Sequence, residues 1–417
     1  MSSDLMIKNC SELHTLEGPV RARVGNEMKD TGMIEDGAMV VKDGKIVKTG
    51  KTGSIMEEYQ ADKILDMSGK TVIPGFVDPH THLVFAGSRE DELQMKIKGK
   101  SYMEILEEGG GIQRTVRATR EATKEELKEE VRKRLDTMLK YGTTTAEAKS
   151  GYGLDMETEI KMLEVINELD KEHPVDLIPT YLGAHSLPPE YGSNEEYIEF
   201  CIEEVLPEIS DRGLAEFCDV FCEKGVFSAE ESRKLLEKAK ELGFGLKVHA
   251  DEIENIGCSC MAGELGAISA EHLVKTNAED ISKMVKNGTI GISLPGTPFM
   301  LMEDEYTPVR EMIEDGMAVA LATDLNPNCY TESMQMIITL ACLQMKMTPS
   351  EALTSATVNA AHAVNREDRG TLEKGNKPDF VVLDVPNHLH IPYHFGVDLV
   401  ESVFKEGEEV VGKDDII

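Results

Sequence analysis

Between residues 71 and 323 short apolar runs recur eight times, and amphipathic stretches separate them. The runs fall at 71–77, 143–148, 176–183, 217–222, 245–249, 267–272, 289–294 and 318–323. Strands alternating with helices call for a parallel sheet, because each helix carries the chain back to the same end. Eight such α/β units fit a (β/α)8 TIM barrel. An open doubly wound sheet would carry a glycine-rich phosphate turn after its first strand, and none follows residue 77. Gly109-Gly110-Gly111 instead precedes a helix in a long loop and reads as an active-site loop. The helix starts are well marked. Thr123 with Glu126, Ser228 with Glu231 and Thr348 with Glu351 have capping-box spacing. Leu127, Val131, Leu135 and Leu139 then recur at helical spacing, and Gly142 stops the run.

The two ends of the chain have a different texture. Met39-Val40-Val41, an Asp43-Gly44 turn and Lys45-Ile46-Val47 predict a hairpin. Short β-rich runs return at 379–384 and 400–411. Residues 1–70 and 366–417 are therefore expected to form one small β-sandwich domain, with the barrel, 71–365, inserted between them.

Length and charge set further bounds. A barrel with an accessory domain fits 417 residues, of which 41% are hydrophobic. The net charge of -33 argues against a nucleic-acid partner, which demands a basic surface. No run approaches the ~20 apolar residues of a membrane span. The first residues, Met1 to Met6, lack the basic-then-apolar pattern of a signal peptide. The expected location is cytoplasmic, with no membrane partner. There disulfides are rare, so most of the eight cysteines, among them Cys218, Cys222, Cys258, Cys260 and Cys329, are expected to be buried free thiols.

In a barrel of this kind the chemistry sits at the C-terminal ends of the strands. Those ends carry His80 and His82, then His185, His249, His272 and Asp324. On a strand, residues two apart point the same way, so His80 and His82 make half of a metal site. His249 and Asp324 complete a mononuclear site. Imidazole and carboxylate donors suit zinc or ferrous iron, and both stay open. Lys149 and Lys224 are expected in surface salt bridges, which leaves one metal in the lead. His388 and His390, with His394 nearby, lie in the C-terminal β-rich part and read as structural. His14, His173 and His362 are expected to lack convergent partners.

These motifs resemble the amidohydrolase superfamily. The resemblance narrows to the branch that acts on imidazolone propionate in histidine degradation. Pro79-His80-Thr81-His82, Lys149-Ser150-Gly151-Tyr152, Leu182-Gly183-Ala184-His185, His249-Ala250-Asp251-Glu252 and Thr323-Asp324-Leu325-Asn326 carry it over nearly the whole chain. It implies hydrolysis of the cyclic amide of 4-imidazolone-5-propanoate to N-formimino-L-glutamate. It implies one divalent metal per subunit, a small anionic substrate and a homodimer. Asp324, Glu252 and His272 are then the catalytic groups, and either carboxylate could be the first base. Glu252, expected one helical turn beyond His249, would also touch substrate. Arg89 would clamp the propionate with its planar fork; its plain alternative is a surface pair with Glu90 or Asp91. Tyr152, His185 and Asn326 are implied substrate contacts. So are Asn328 and Cys329, where many members carry Gly and a small residue.

Two other functions use the same features. A deaminase acting on a cytosine- or guanine-like ring would share the metal set, but Arg89 and Tyr152 favour the imidazolone. A non-catalytic barrel serving as a binding or scaffold protein would not need the full ligand set together with Glu252.

Overall fold

The computed structural model describes residues 1–100, 104–105 and 108–412. The chain opens with β1 (Ser2–His14), β2 (Met33–Lys42), β3 (Lys45–Lys51) and β4 (Gln60–Asp66), none of which enters the barrel. β2 and β3 form the expected hairpin, and Asp43 and Gly44 both take positive φ, at 52° and 66°. β1 forks the sheet. It pairs with β2 on one side, and on the other with β4 along its first half and β5 (Thr71–Pro74) near its end.

The barrel follows as β6 (Phe76–Asp78), β7 (Thr143–Lys149), β8 (Asp176–Ala184), β9 (Phe217–Cys222), β10 (Gly245–Ala250), β11 (Ser269–His272), β12 (Ile290–Ser293) and β13 (Val319–Leu321). These eight strands lie side by side in chain order. The last three strands, β14 (Phe380–Leu383), β15 (Val400–Lys405) and β16 (Glu408–Val411), return to the terminal sheet through β14 on β5. Leu5, Ile7, Met39 and Val41 from one arm of that sheet share an apolar cluster with Val72, Phe380, Val382 and Phe404 from the other. All three capping boxes form. The stripe of the first, Leu127, Val131 and Leu135, is fully buried in the same cluster as Phe76, Ala146 and Ala148 of the strands. Among the described residues no helix is long and apolar enough to cross a membrane.

Two expectations change. The single strand over 71–77 is two strands in different sheets. Gly75 is the crossing point: its N–H donates to Asp379 O at 2.9 Å, whereas that of Phe76 donates to Gly142 O at 3.0 Å. An apolar run looks the same whichever sheet it serves, so the break was invisible in composition. The cysteines also differ from expectation. Cys222, at the end of β9, and Cys258, opening the helix Cys258–Leu265, form a disulfide with a Cα–Cα distance of 5.8 Å. They are 36 residues apart and meet only because the βα turns after β9 and β10 are neighbours. Cys10, Cys201, Cys218 and Cys329 are buried free thiols, as expected.

β6 and β13 do not pair within their own lengths. The seam closes just beyond them, where Thr81 bridges Leu325. The His82 N–H donates to Leu325 O at 2.8 Å, and the Asp324 N–H donates to His80 O at 3.2 Å. Asp78 accepts from the Thr323 N–H and hydroxyl.

A Cβ on Gly75 would lie 2.2 Å from Thr144 Oγ1. Gly75→Ala should therefore cost about 1–3 kcal/mol by overpacking. Urea denaturation reads this directly, and an unchanged midpoint would mean that the junction is slack.

Candidate metal centre

The seam contacts hold His80, His82 and Asp324 at the mouth of the barrel, and β10 brings His249 to them. All four side chains are buried. His82 Nε2 and His249 Nε2 are 3.3 Å apart. His80 Nε2 and His82 Nε2 lie 3.4 and 3.5 Å from Asp324 Oδ1. Around a tetrahedral zinc with bonds of ~2.0–2.1 Å, neighbouring ligand atoms stand about 3.3 Å apart. Three pairs at ligand spacing therefore link the four donors, and the ligand atoms of His80, His82 and His249 lie within 4.8 Å of one another. His80 Nε2 and Asp324 Oδ1 have no hydrogen-bond partner among the described residues. Buried polar atoms left so are costly, and a cation between them removes the cost. The residues fit a divalent ion.

A second cluster shows the contrast. His14, expected to stand alone, lies with its ring 4.5 Å from that of His388. Both rings meet Glu12 Oε2, at 2.8 and 3.0 Å. Those are hydrogen-bond lengths. Thr31 and Ser350 take the remaining ring nitrogens. This cluster is a closed hydrogen-bonded staple between β1 and the segment after β14. The sequence hid it because 376 residues separate Glu12 from His388.

Electrostatics divides the acids at the mouth. Burial pushes Asp324 up, but the His80 and His272 rings and the Thr297 hydroxyl outweigh it and hold Asp324 well below the ordinary carboxylate range. Glu252 goes the other way. Its side chain keeps 19% of its exposure, yet enclosure in the pocket with Asp324, Glu223 and Glu303 facing it pushes it up to about 8. Glu252 Oε2 is 3.7 Å from His272 Nε2. Residues 251–253 form a bend and not the expected helical turn, with Asp251 at φ 53°. Glu223 fastens this bend by accepting from Ile253 N and Glu254 N at 2.9 and 3.1 Å. Burial lowers His272 and His185 to about 4, against the pull of Asp324 in both cases. Burial likewise drives His82 and His249 well down. His80 rises to about 9 although burial and Lys149 oppose it, because Glu271 and Asp324 face it. His272 and Asp324 both take positive φ, 68° and 52°. Such backbone costs about 1–3 kcal/mol for a residue with a side chain and gathers at functional sites.

The expected substrate contacts are partly assembled. His185 stacks on His82 at 4.9 Å, and Tyr152 lies 5.2 Å from His185 and 5.8 Å from His82. His185 Nδ1 bonds Gly151 O at 2.9 Å. Arg89 is neither on the surface nor paired with Glu90 or Asp91. It is 8% exposed, and its Nε and Nη2 donate to Glu92 Oε2 at 2.9 and 2.7 Å. Glu92 Oε1 accepts the Gly111 N–H at 2.8 Å, so the glycine loop is tied to the arginine's partner. No described residue pairs with Arg89 Nη1. Asn326 spends its side chain on its own turn, donating to Asp324 O and accepting from Asn328 N and Cys329 N. Cys329 is fully buried, with Sγ 3.8 Å from Thr323 O. Asn328 Oδ1 accepts from Lys96 Nζ.

Lys96 escaped the sequence reading. It shares a face of the helix Glu90–Ile97 with Glu92, and Arg89 caps that helix. Spacing of three and seven residues could have found it. Lys149 was misread: it is fully buried among Glu147, Asp219 and Glu271 and makes no surface bridge. Lys224 does make one, exposed, with Glu254. Asp219, Glu271 and Thr297 were also missed, although a charged residue inside an apolar strand, as at Asp219 and Glu271, was a visible signal.

The sequence profile of the amidohydrolase family matches residues 71–410. The fold is shared with a zinc-bound adenosine deaminase from Xanthomonas campestris, with a TM-score of 0.76 at 16% identity, covering 100% of this chain and 94% of that one. The chain belongs to the amidohydrolase family. Its full-length relatives narrow the class. It is 50% identical to the imidazolonepropionase of Alkaliphilus metalliredigens (strain QYMF) over 100% of both chains. It is 48% identical to that of Geobacillus kaustophilus (strain HTA426) over 98% of both. Within the amidohydrolases the chain belongs with the imidazolonepropionases.

His249→Ala removes the donor 3.3 Å from His82 Nε2. Purified protein should then lose its metal, as elemental analysis would show. Full occupancy in this variant would exclude His249 as a ligand.

Proposed function

We propose that this chain hydrolyses the cyclic amide C–N bond of 4-imidazolone-5-propanoate, giving N-formimino-L-glutamate in histidine degradation. One divalent ion, zinc or ferrous iron, would be held by His80, His82, His249 and Asp324. The observation that carries the reading is that three donor pairs at 3.3–3.5 Å link these four residues in a chain that matches imidazolonepropionases end to end. Bound there, the ion supplies Lewis acidity towards the ring carbonyl and makes a water easier to deprotonate.

The chain's own groups divide the proton work. Water adds to the ring carbonyl carbon, the C–N bond breaks, and the ring nitrogen must leave with a proton. Asp324, ionised throughout the neutral range, accepts the proton of the attacking water. Glu252, pushed up to about 8, is still protonated at neutral pH and gives its proton to the ring nitrogen. Two carboxyls whose pKa values are driven apart are suited to base and acid. A proton passed from Asp324 to Glu252 resets the pair. His272, neutral and 3.7 Å from Glu252, orients the carbonyl or the water. Arg89 meets the propionate through the guanidinium edge that Glu92 leaves free. Tyr152 and His185 wall the ring side of the pocket. Asn328 and the backbone at Cys329 border the mouth beside Lys96.

The test is ultraviolet loss of imidazolone propionate on purified protein of measured metal content. Turnover that follows metal content supports the proposal. Inactivity with bound metal, or ammonia release from cytosine- or guanine-like amines, would replace it with the deaminase alternative or a binding role. Two variants examine the assignments. Arg89→Ala should raise KM about 10- to 100-fold, the range of a lost charged hydrogen bond, and an unchanged KM would place the propionate elsewhere. The acid role of Glu252 sets the sign of the pH profile. Activity is present while Glu252 holds its proton and is lost as pH rises through about 8. Glu252→Gln should erase that alkaline limb and lower kcat by about 10²–10⁴; a limb that survives belongs to another group.

A further inference from the structure

Behind the proposed ligands lies a layer of charge that the reaction does not use. Glu147 and Lys149 occupy alternate positions on β7, Asp219 lies on β9, Lys247 on β10 and Glu271 on β11. All five side chains are fully buried. Lys149 Nζ lies 2.7 Å from Glu147 Oε1, 2.7 Å from Asp219 Oδ2 and 3.3 Å from Glu271 Oε2.

The same carboxylate oxygens face the histidines. Asp219 Oδ2 is 3.0 Å from His249 Nδ1, and Glu271 Oε2 is 2.6 Å from His80 Nδ1. Each oxygen therefore stands within ion-pair distance of both the ammonium and a ring. Glu147 accepts the N–H of Thr81, between His80 and His82, at 3.2 Å. Lys247 secures the far oxygen of Glu271 at 3.0 Å and Pro79 O, next to His80, at 3.2 Å. A carboxylate on Nδ1 leaves Nε2 as the donor atom and sets the plane of the ring. His82 is not held this way; it stacks on His185.

Charge counting agrees. With His80 neutral, as a metal-ligating ring is, three carboxylates against two ammonium groups leave one negative charge, and Asp324 makes two, which a divalent cation would cancel. Without Lys149, three buried carboxylates would face one another with a single cation at one side, and like charges in a dry interior separate or take up protons.

We propose that Lys149 is a positioning residue for the metal centre: it clamps Asp219 and Glu271 behind His249 and His80, so that both rings turn Nε2 towards the metal. This rests on the metal reading given above.

The experiment is zinc affinity of the metal-free full chain, by chelator competition, for wild type, Lys149→Met, Glu147→Gln and the double variant Lys149→Met/Glu147→Gln. The double variant removes one charge of each sign and so keeps the net charge of the layer, which protects folding should Lys149→Met alone fail. Melting of the metal-free forms runs in parallel, with visible spectra of the cobalt-loaded forms. Loss of an outer partner costs about 10- to 100-fold in metal affinity. Lys149→Met should show that loss against wild type, and the double variant should show it against Glu147→Gln. The cobalt bands should shift with it. Variants that melt earlier but bind zinc as tightly as their parents, with unshifted cobalt bands, would make Lys149 merely structural and overturn the inference. Wild type that binds no zinc or cobalt is a different failure, that of the metal reading itself.

Discussion

The barrel is closed by the turns that follow its first and last strands. β6 and β13 are three residues long each and do not pair directly. The backbone groups at this buried seam still need partners. They find them through Thr81 with Leu325, His82 with Leu325, and Asp324 with His80. The segments that close the barrel are thus the ones that carry His80, His82 and Asp324. Closure and site assembly are one event, and a slip in the seam would misplace three of the four proposed ligands at once.

Around that seam the protein controls charge over short distances. The chain carries a net charge of -33, yet its proposed substrate is an anion. The answer lies in placement. Glu92 holds Arg89 half-satisfied near the mouth, and Lys96 stands on the same helix face. Behind the proposed ligands, two buried ammonium groups face three buried carboxylates. Burial keeps His185 and His272 neutral, and burial together with crowding among acids keeps a proton on Glu252. The bulk acidity of the surface, screened by salt over about 10 Å, says little about this interior.

Much of this was legible in the sequence, for reasons that can be named. Capping boxes, the Asp43-Gly44 turn and the strand–helix alternation are local signals, and each appears where expected. The strand-end histidines were legible because a barrel collects its strand ends on one face. What failed was non-local. The run at 71–77 hid a change of sheet at Gly75. Lys149 looked like a surface residue because lysines usually are. Cys222 with Cys258, and His14 with His388, are partners only across turns or chain ends that the fold brings together.

The sequence determined the spacing within most strands and helices and the residue types at the strand ends, and so the candidate donors at the mouth. Those follow from side-chain spacing, which is a property of the local backbone. Only the tertiary structure decided which carboxylates face His80 and His249, which carboxyl keeps its proton and which lysine is buried. Those depend on distances of 2.6–3.7 Å between strands far apart in the chain. Desolvation and Coulomb energy change steeply over such distances, and no local pattern encodes them.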